Sequence, residues 1–469
     1  MTIDGESLQG LLDRTPDLVD YFRNDVRGPH FARADVATRA RFIPPAFSNW
    51  HDEQYASVES AGLLHQSHHM PELFVEGPGA LDLLQSIAIN SFSGFALDQA
   101  KQMVGATPGG QIIGDCIVYR NGEDRFELVS GKPLLNWVEY QAERGGYDVA
   151  ITRDESSNLN RSGRRTKYRF ELVGPATGEI LGRVVEGGLP EVAFFRTRTF
   201  RIGGHDVLAL RHGMVGDVAF ELSGPYEEED AVRSILLEAG ADLGLKPVGT
   251  ETYFTGMQGG WISYPIPGIF TEAALRDYRS WLPATTWEAR TEIGGSFVGE
   301  RIEDYYLTPY DAGYGHIIKF DHDFHGADAL RAVPDEAKRQ KVTLEWDTDD
   351  VLRVQRSQFE PAPRYKSIEM PTVYYAWNQV DEVRSASGSL AGHSYKAAYL
   401  GPYGKVISVA SLDPREAPLG SEVEIVWGEP APTRKPQVER HVPTTIRARV
   451  VPAPYAQGHQ RVTRKARVT

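Results

Sequence analysis

Three stretches of this chain share one local grammar: an apolar strand, a Gly-Pro turn and an amphipathic helix. They read FVEGPGALDLLQSI from Phe74 to Ile87, YRFELVGPATGEILGRVVEGG from Tyr168 to Gly188, and AFELSGPYEEEDAVRSILLEAG from Ala219 to Gly240. A strand that passes through a sharp turn into a helix needs a sheet covered by helices, so the recurrence predicts two related α+β subdomains. Around these units, helical spacing is expected from about Ser7 to Phe22 and from Leu134 to about Arg144, the latter opened by Pro133. IIGDCIVY and RFELVS read as two strands joined by a tight turn within Arg120 to Asp124, and the polar run Thr152 to Lys167 reads as a long loop. After about Arg339 the pattern changes to short strands and turns (KVTLEWD, KVISVASLD, SEVEIVWGEP, TTIRARVV), which predicts an all-β terminal domain, a small barrel or jelly roll. The expected division is therefore 1–165, 166–340 and 341–469.

Charge and composition exclude several classes. The longest apolar runs, such as Ile112 to Val118, are far shorter than the roughly 20 residues a bilayer-spanning helix needs. The opening residues carry acids in place of a basic leader, so no signal peptide is expected. Cys116 is the single cysteine, which rules out an intrachain disulfide framework and points to a cytoplasmic setting. The net charge is −14. It is unevenly spread: from Ala431 onward the chain carries +8, the rest −22, so the basic tail is expected to lie against the acidic body, fold at a subunit contact or bind an anion. It lacks the interleaved aromatics of a nucleic-acid reader, and no nucleic-acid or membrane partner is expected.

Two runs look like metal clusters, His65-Gln66-Ser67-His68-His69 and Asp321-His322-Asp323-Phe324-His325, but neither has HExxH or another spacing with its own mechanism, and no catalytic metal is expected. Ser67 lies beside histidines without a G-x-S-x-G elbow, and neither a P-loop nor G-x-G-x-x-G occurs. Cys116 sits in an apolar strand with Asp115 on the opposite face, which reads as a core residue.

Four segments, GGQIIGDCIVY (Gly109 to Tyr119), GMVGDVAFELSGP (Gly213 to Pro225), LTPYDAGYGHIIKFDHDFHGADAL (Leu307 to Leu330) and PLGSEVEIVWG (Pro418 to Gly428), together resemble the glycine-cleavage T-protein (aminomethyltransferase) superfamily. FSNWHDEQ (Phe47 to Gln54), HQSHHM (His65 to Met70), INSF (Ile89 to Phe92), LRHGM (Leu210 to Met214), GGSFV (Gly294 to Val298) and IEDYY (Ile302 to Tyr306) are more similar to tetrahydrofolate-dependent aromatic O-demethylases of the vanillate, 3-O-methylgallate and syringate type. The resemblance implies a three-domain folate-binding fold, two α+β subdomains around a central channel closed by a C-terminal β domain. It implies transfer of the methyl group of an aromatic methyl ether to N5 of tetrahydrofolate.

Residue by residue, the same resemblance gives Tyr253 the proton-donor role. It makes Gln66, His69 and His68 substrate-pocket residues, Trp261 an aromatic wall, and Glu221 the carboxylate that accepts from the pterin. Asp115 falls at the catalytic aspartate position of the T-protein and is placed with Glu221 among the cofactor-binding residues. Lys132 stands where the vanillate-type enzymes have an arginine that grips the substrate carboxylate; lysine keeps the charge and loses the fork. RARFIPPAF also lacks a tyrosine found before the matching position, so methoxybenzoates other than vanillate, including a chlorinated one such as dicamba, enter the expected range. Two other readings stay open: a demethylase of methylated amines or sulfonium compounds, in which Asp115 matters more than Tyr253, and a non-catalytic folate-binding module, whose K-G-C-Y-x-G-Q motif this chain lacks.

Overall fold

A computed structural model describes residues 5–25, 43–129, 131–157, 159–160, 164–213, 219–256, 266–430, 433–436 and 438–455. Its strands form three sheets. The first has the order β3 (Ala100–Ala106), β4 (Ile112–Gly122), β5 (Arg125–Val129), β2 (Glu72–Glu76), β6 (Ala150–Asp154). The second runs β11 (Leu245–Val248), β1 (Ala61–His65), β7 (Lys167–Val173), β10 (Ala219–Pro225), β9 (His205–Arg211), β8 (Thr197–Ile202). The third runs β12 (Ile293–Gly294), β14 (Asn378–Arg384), β15 (Leu390–Leu400), β16 (Lys405–Leu412), β13 (Gln340–Trp346), β18 (Thr444–Pro452), β17 (Glu422–Trp427), and the pairing of β14 with β17 closes six of these strands into a barrel.

The repeated grammar is built as the sequence predicts. β2 turns at Gly77 into the helix Ala80–Ile87, and β7 turns at Gly174 into the helix Thr177–Val184. Both glycines have positive φ, +134° and +113°, and a Cβ there would come within 2.4 Å of the Asp148 carbonyl oxygen and 2.7 Å of that of Ser60. Only glycine makes these turns without strain. The third unit passes from β10 through a short 3₁₀ turn into the helix Glu229–Gly240. Ala80, Leu83, Leu84 and Ile87 share one buried helix face over the first sheet, and Ile180, Leu181, Val232 and Leu236 cover the second.

The chain visits the bodies out of order. β1 pairs with β7 and β11 of the second sheet, and only then does residue 66–71 cross to β2 of the first. The N-terminal helix Leu8–Asp13 and residues 266–330 pack into the core of the first sheet, with the Leu8 N–H bonded to the Leu282 oxygen. Local differences from the expectations have simple causes. Asn121 and Gly122 stay in β4 across a bulge, because Asn121 Nδ2 donates to Glu127, and the turn moves to Glu123-Asp124. Part of the expected loop after Thr152 is paired as β6 against β2. In the terminal segment, Arg434 pairs with Asp20 and Asp25, Lys435 with Glu429, and Arg447 with Asp347 and Asp350, so these three basic residues of the tail lie on acidic partners of the body. No helix among the described residues is long and apolar enough to cross a membrane.

Candidate functional site

Alternation along β7 and β10 sorts their side chains into two sets. Tyr168, Phe170, Leu172, Phe220 and Leu222 face the helices. Arg169, Glu171, Glu221 and Ser223 face inward, toward the first sheet, and all are buried. In the register of the two strands Glu171 lies directly opposite Glu221, and Arg169 opposite Ser223. Across the interface, Asp115, Ile117 and Tyr119 lie on one face of β4, while Cys116 and Val118 enter the hydrophobic core.

Arg169 holds this interface together. Its guanidinium donates to Glu127 Oε1 at 2.7 Å, to Glu72 Oε1 at 2.9 Å, to the Tyr119 hydroxyl at 3.0 Å and to Glu221 Oε2 at 3.2 Å. Tyr119 in turn donates to Glu221 Oε2 at 2.7 Å. Burial pushes the Glu72 carboxyl up despite Arg169, whereas for Glu127 the push of burial is outweighed by Lys167 and Arg169 and the net shift is downward. Burial and the Glu221 charge raise the Tyr119 phenol well above its ordinary range, which keeps it a hydrogen-bond donor. Both bonds to Glu221, from Tyr119 and from Arg169, fall on its Oε2. Its Oε1 makes none among the described residues and remains an acceptor aimed into the interface.

The crossing at residues 66–71 sends Gln66 and His69 to one side and Ser67 and His68 to the other. Gln66, fully buried, donates from Nε2 to Glu171 Oε2 at 3.1 Å, and its Oε1 has no hydrogen-bond partner among the described residues. His69 Nε2 lies 2.8 Å from the Tyr253 hydroxyl, with the rings nearly perpendicular at 4.9 Å. His68 does not join them. It turns outward, its Nδ1 bonded to Ser157 Oγ at 2.9 Å and its ring edge-on to His65, and burial lowers its pKa to about 4.

Tyr253 ends the short helix Thr250–Tyr253, whose placement depends on residues that sequence reading did not single out. The buried Glu53 carboxylate accepts from the N–H groups of Phe47 and Ser48 through Oε1 and from Gly249 through Oε2. Gly249 cannot be replaced without moving Pro45, whose oxygen lies 2.3 Å from the missing Cβ. Gln54 ties Thr255 to the barrel, donating to Thr255 Oγ1 and the Tyr399 oxygen and accepting from the Gly401 N–H. A small cavity beside Tyr253, lined by Leu64, Val173, Val248, Leu400, Pro402 and Tyr403, spans the second sheet and the barrel.

At the far end, Asp115 Oδ2 accepts from Gln102 Nε2 at 2.8 Å and from the Tyr314 hydroxyl at 2.9 Å. Lys341 of the barrel lies near it, its pKa lowered by burial and drawn back by the Asp115 charge. Lys132 begins the helix Lys132–Arg144, and Gly131 before it has φ +68° and presses on the Asp115 carbonyl oxygen, 2.0 Å from where a Cβ would stand. The structure thus gathers Gln66, His69, Tyr253 and Glu221 along the inward face of the second sheet and sets Asp115 and Lys132 together on the first. Trp261 lies outside the described residues. Arg169, Tyr119, Glu171 and Glu53 are additions; the first three carry a signal, a charge or hydroxyl at the alternate position of an otherwise apolar strand. His212, half-buried and within reach of the Glu221 charge, with its pKa lowered by burial, is a further addition, and its Nδ1 has no partner among the described residues. In the other His/Asp run, Asp321 to His325 forms no strand; His322 bonds Asp321, and His325 packs on Trp137.

Comparison with known proteins gives a consistent result. The model of the GCVT N-terminal domain matches residues 21–264. A syringate O-demethylase from Sphingobium sp. is 41% identical over 453 residues, 96% of each chain. A sesamin methylene transferase from Sinomonas sp. is 30% identical over 420 residues, 85% of this chain and 89% of the other. Among solved structures, the glycine cleavage system aminomethyltransferase T from Bartonella henselae superposes with a TM-score of 0.58 at 17% identity, covering 89% of this chain and 93% of its own, which establishes the shared three-body fold.

Proposed function

Because the chain belongs to the family of the GCVT N-terminal domain, we propose that it is a tetrahydrofolate-dependent O-demethylase, a methyltransferase that moves the methyl group of an aromatic methyl ether to N5 of tetrahydrofolate. The products are a phenol and 5-methyltetrahydrofolate, and the substrate is a methoxybenzoate of the syringate or vanillate kind or a chlorinated analogue. One observation carries the reading: the likeness to a syringate O-demethylase extends over 96% of both chains. The buried thiol of Cys116 suits the reducing cytoplasm, where we place the reaction.

Tetrahydrofolate supplies the nucleophilic N5 that receives the methyl group. The inward face fits such a group: Glu221 Oε1 is an acceptor without a partner among the described residues, matched to the amino and ring N–H donors of a pterin. The protein's task at the ether is to make the phenolate oxygen a better leaving group, because an unprotonated phenolate leaves slowly from a methyl carbon. Tyr253 donates its hydroxyl proton to that oxygen. His69, donating from Nε2, holds the Tyr253 oxygen 2.8 Å away and stabilises the tyrosinate that forms. With tetrahydrofolate bound, the N5 proton would be the one that restores Tyr253, which would balance the cycle with no further reactant. Gln66 Oε1, a buried acceptor, takes a hydrogen bond from a ring hydroxyl beside the methoxy group, and Lys132 offsets the ring carboxylate. Asp115 orients the pocket through Gln102 and Tyr314. The rest is positioning: two reactants held in line with water excluded.

The test is anaerobic incubation of the protein as purified with tetrahydrofolate and a panel of methoxybenzoates, vanillate, syringate and chlorinated analogues, followed by mass. Equal amounts of 5-methyltetrahydrofolate and phenol are expected. Folate binding with turnover of methylated amines and none of aryl ethers would replace this reading with the amine branch.

A further inference from the structure

The outward side of the crossing holds a cluster that the methyl-transfer site does not use. His65 ends β1, His68 sits in the turn after it, and Glu229 is the first residue of the helix Glu229–Gly240. One ligand atom of each lies within 4.8 Å of the other two, and His65 Nε2 is 2.6 Å from Glu229 Oε1. We infer that His65, His68 and Glu229 form a site for a zinc-class divalent transition metal that fastens the crossing to this helix.

The donor set is two imidazoles and one carboxylate. That combination suits zinc or cobalt, whereas magnesium and calcium take all-oxygen shells. Ligands held about 2.0–2.1 Å from a tetrahedral ion stand roughly 3.3 Å apart. The present separations, from 2.6 to 4.8 Å, bracket that value, so small side-chain movements complete three corners and leave the fourth to water. The outer contacts are those that orient metal ligands. His68 Nδ1 is bonded to Ser157 Oγ at 2.9 Å, which presents the ring through its other nitrogen, and Glu229 Oε1 also accepts from Ser67 Oγ at 2.6 Å. The rings of Phe170, 5.2 Å from His65, and Tyr226, 6.3 Å from His68, wall the cluster. The cation nearby, Arg165, is already matched by Asp154 at 3.0 Å and Glu72 at 3.8 Å.

The site has a consequence one residue away on each side. Gln66 follows one ligand and His69 the other, and they project to Glu171 and Tyr253, so an ion on the outer side of the crossing fixes the pose of two residues on the inner side. It is a positioning metal, apart from the reacting atoms.

The full chain, stripped with chelator and checked for folding by circular dichroism, would be titrated with Zn²⁺ by calorimetry and with Co²⁺ by visible absorption. One equivalent of each is expected, with the intense ligand-field bands of four- or five-coordinate cobalt and a melting temperature raised by zinc. His68→Ala and Glu229→Gln are expected to weaken binding at least tenfold, while His322→Ala leaves it unchanged. Wild-type protein that takes up no stoichiometric zinc, or shows only the weak bands of octahedral cobalt, overturns the proposal whatever the variants do. Equal uptake by wild type and both variants overturns it as well.

Discussion

The two faces of the second sheet are made by the same strands and obey opposite rules. On the helix side, Phe170, Leu172, Phe220 and Leu222 are buried against apolar neighbours, and any well-packed set of similar volume would do. On the inner side, Arg169, Glu171 and Glu221 are equally buried but carry charge, and Arg169 and Glu221 draw their further partners from another sheet, Glu72, Tyr119 and Glu127. A buried ion network of this kind recovers little net stability against an apolar replacement, because desolvation offsets most of the attraction. Its presence is therefore explained by what it aims, one free oxygen of Glu221, rather than by what it stabilises.

The comparison is broken hardest at Tyr253. Tyr253→Phe keeps the ring and its packing on Phe254 but removes the proton, and a fall of roughly 10²–10⁴ in the single-turnover rate is expected, with melting temperature and folate affinity nearly unchanged. A parent-like rate would remove Tyr253 as the acid. Next comes Arg169→Met, which strands Glu72, Glu127 and Glu221 without their common cation; a loss of about 3–5 kcal/mol in denaturant unfolding is expected. Leu172→Ala on the other face costs about 2–5 kcal/mol through its cavity, yet the protein that remains folded keeps its turnover. If Leu172→Ala instead lowered turnover as much as stability, the division between the faces would fail. Glu221→Gln is milder, because Arg169 retains two carboxylates. Folate affinity measured by calorimetry is expected to drop by about 1.5–3 kcal/mol, the worth of hydrogen bonds to a charged group, with little change in melting.

How much of this was legible depended on whether a feature is local. The Gly-Pro turns, the helices after them and the change of grammar near Arg339 are short-range, and the sequence states them through glycine at positive φ and through periodicity. Glu221 was legible because AFELSGP places one carboxylate among apolar neighbours and matches a family motif. The partners of Arg169 were not, since Glu72 lies 97 positions away and Glu127 42, and alternation marks a residue as inward without saying what it meets. The crossing of β1 into the second sheet was hidden for the same reason: nothing in AGLLH names β7 or β11 as neighbours. Glu53 carried no signal, for it sits in a helix, Trp50–Glu59, whose buried face mixes polar and apolar residues.

The smallest expected effect separates burial of a polar group for function from burial for packing alone. His393 lies on the face of β15 turned away from the barrel core, against the Phe297 ring at 4.0 Å, and burial with the nearby Arg339 charge lowers its pKa to about 3. The native protein therefore keeps it neutral while the unfolded chain protonates near the ordinary value of about 6.5. Below that value the unfolded state binds the extra proton, so stability is full above about pH 6.5 and falls as pH drops toward 3. Between pH 7 and 5.5 this one group removes about 1 kcal/mol, measurable as a shift of the urea midpoint. His393→Gln is expected to reduce that slope by the share of one group and leave the rate of methyl transfer at pH 7 unchanged. A slope that persists would assign the acid sensitivity elsewhere. A rate that fell with His393→Gln would mean that this outer face of the barrel, like the inner face of the second sheet, is coupled to the chemistry, and the contrast between polar burial for aim and polar burial for packing would not hold.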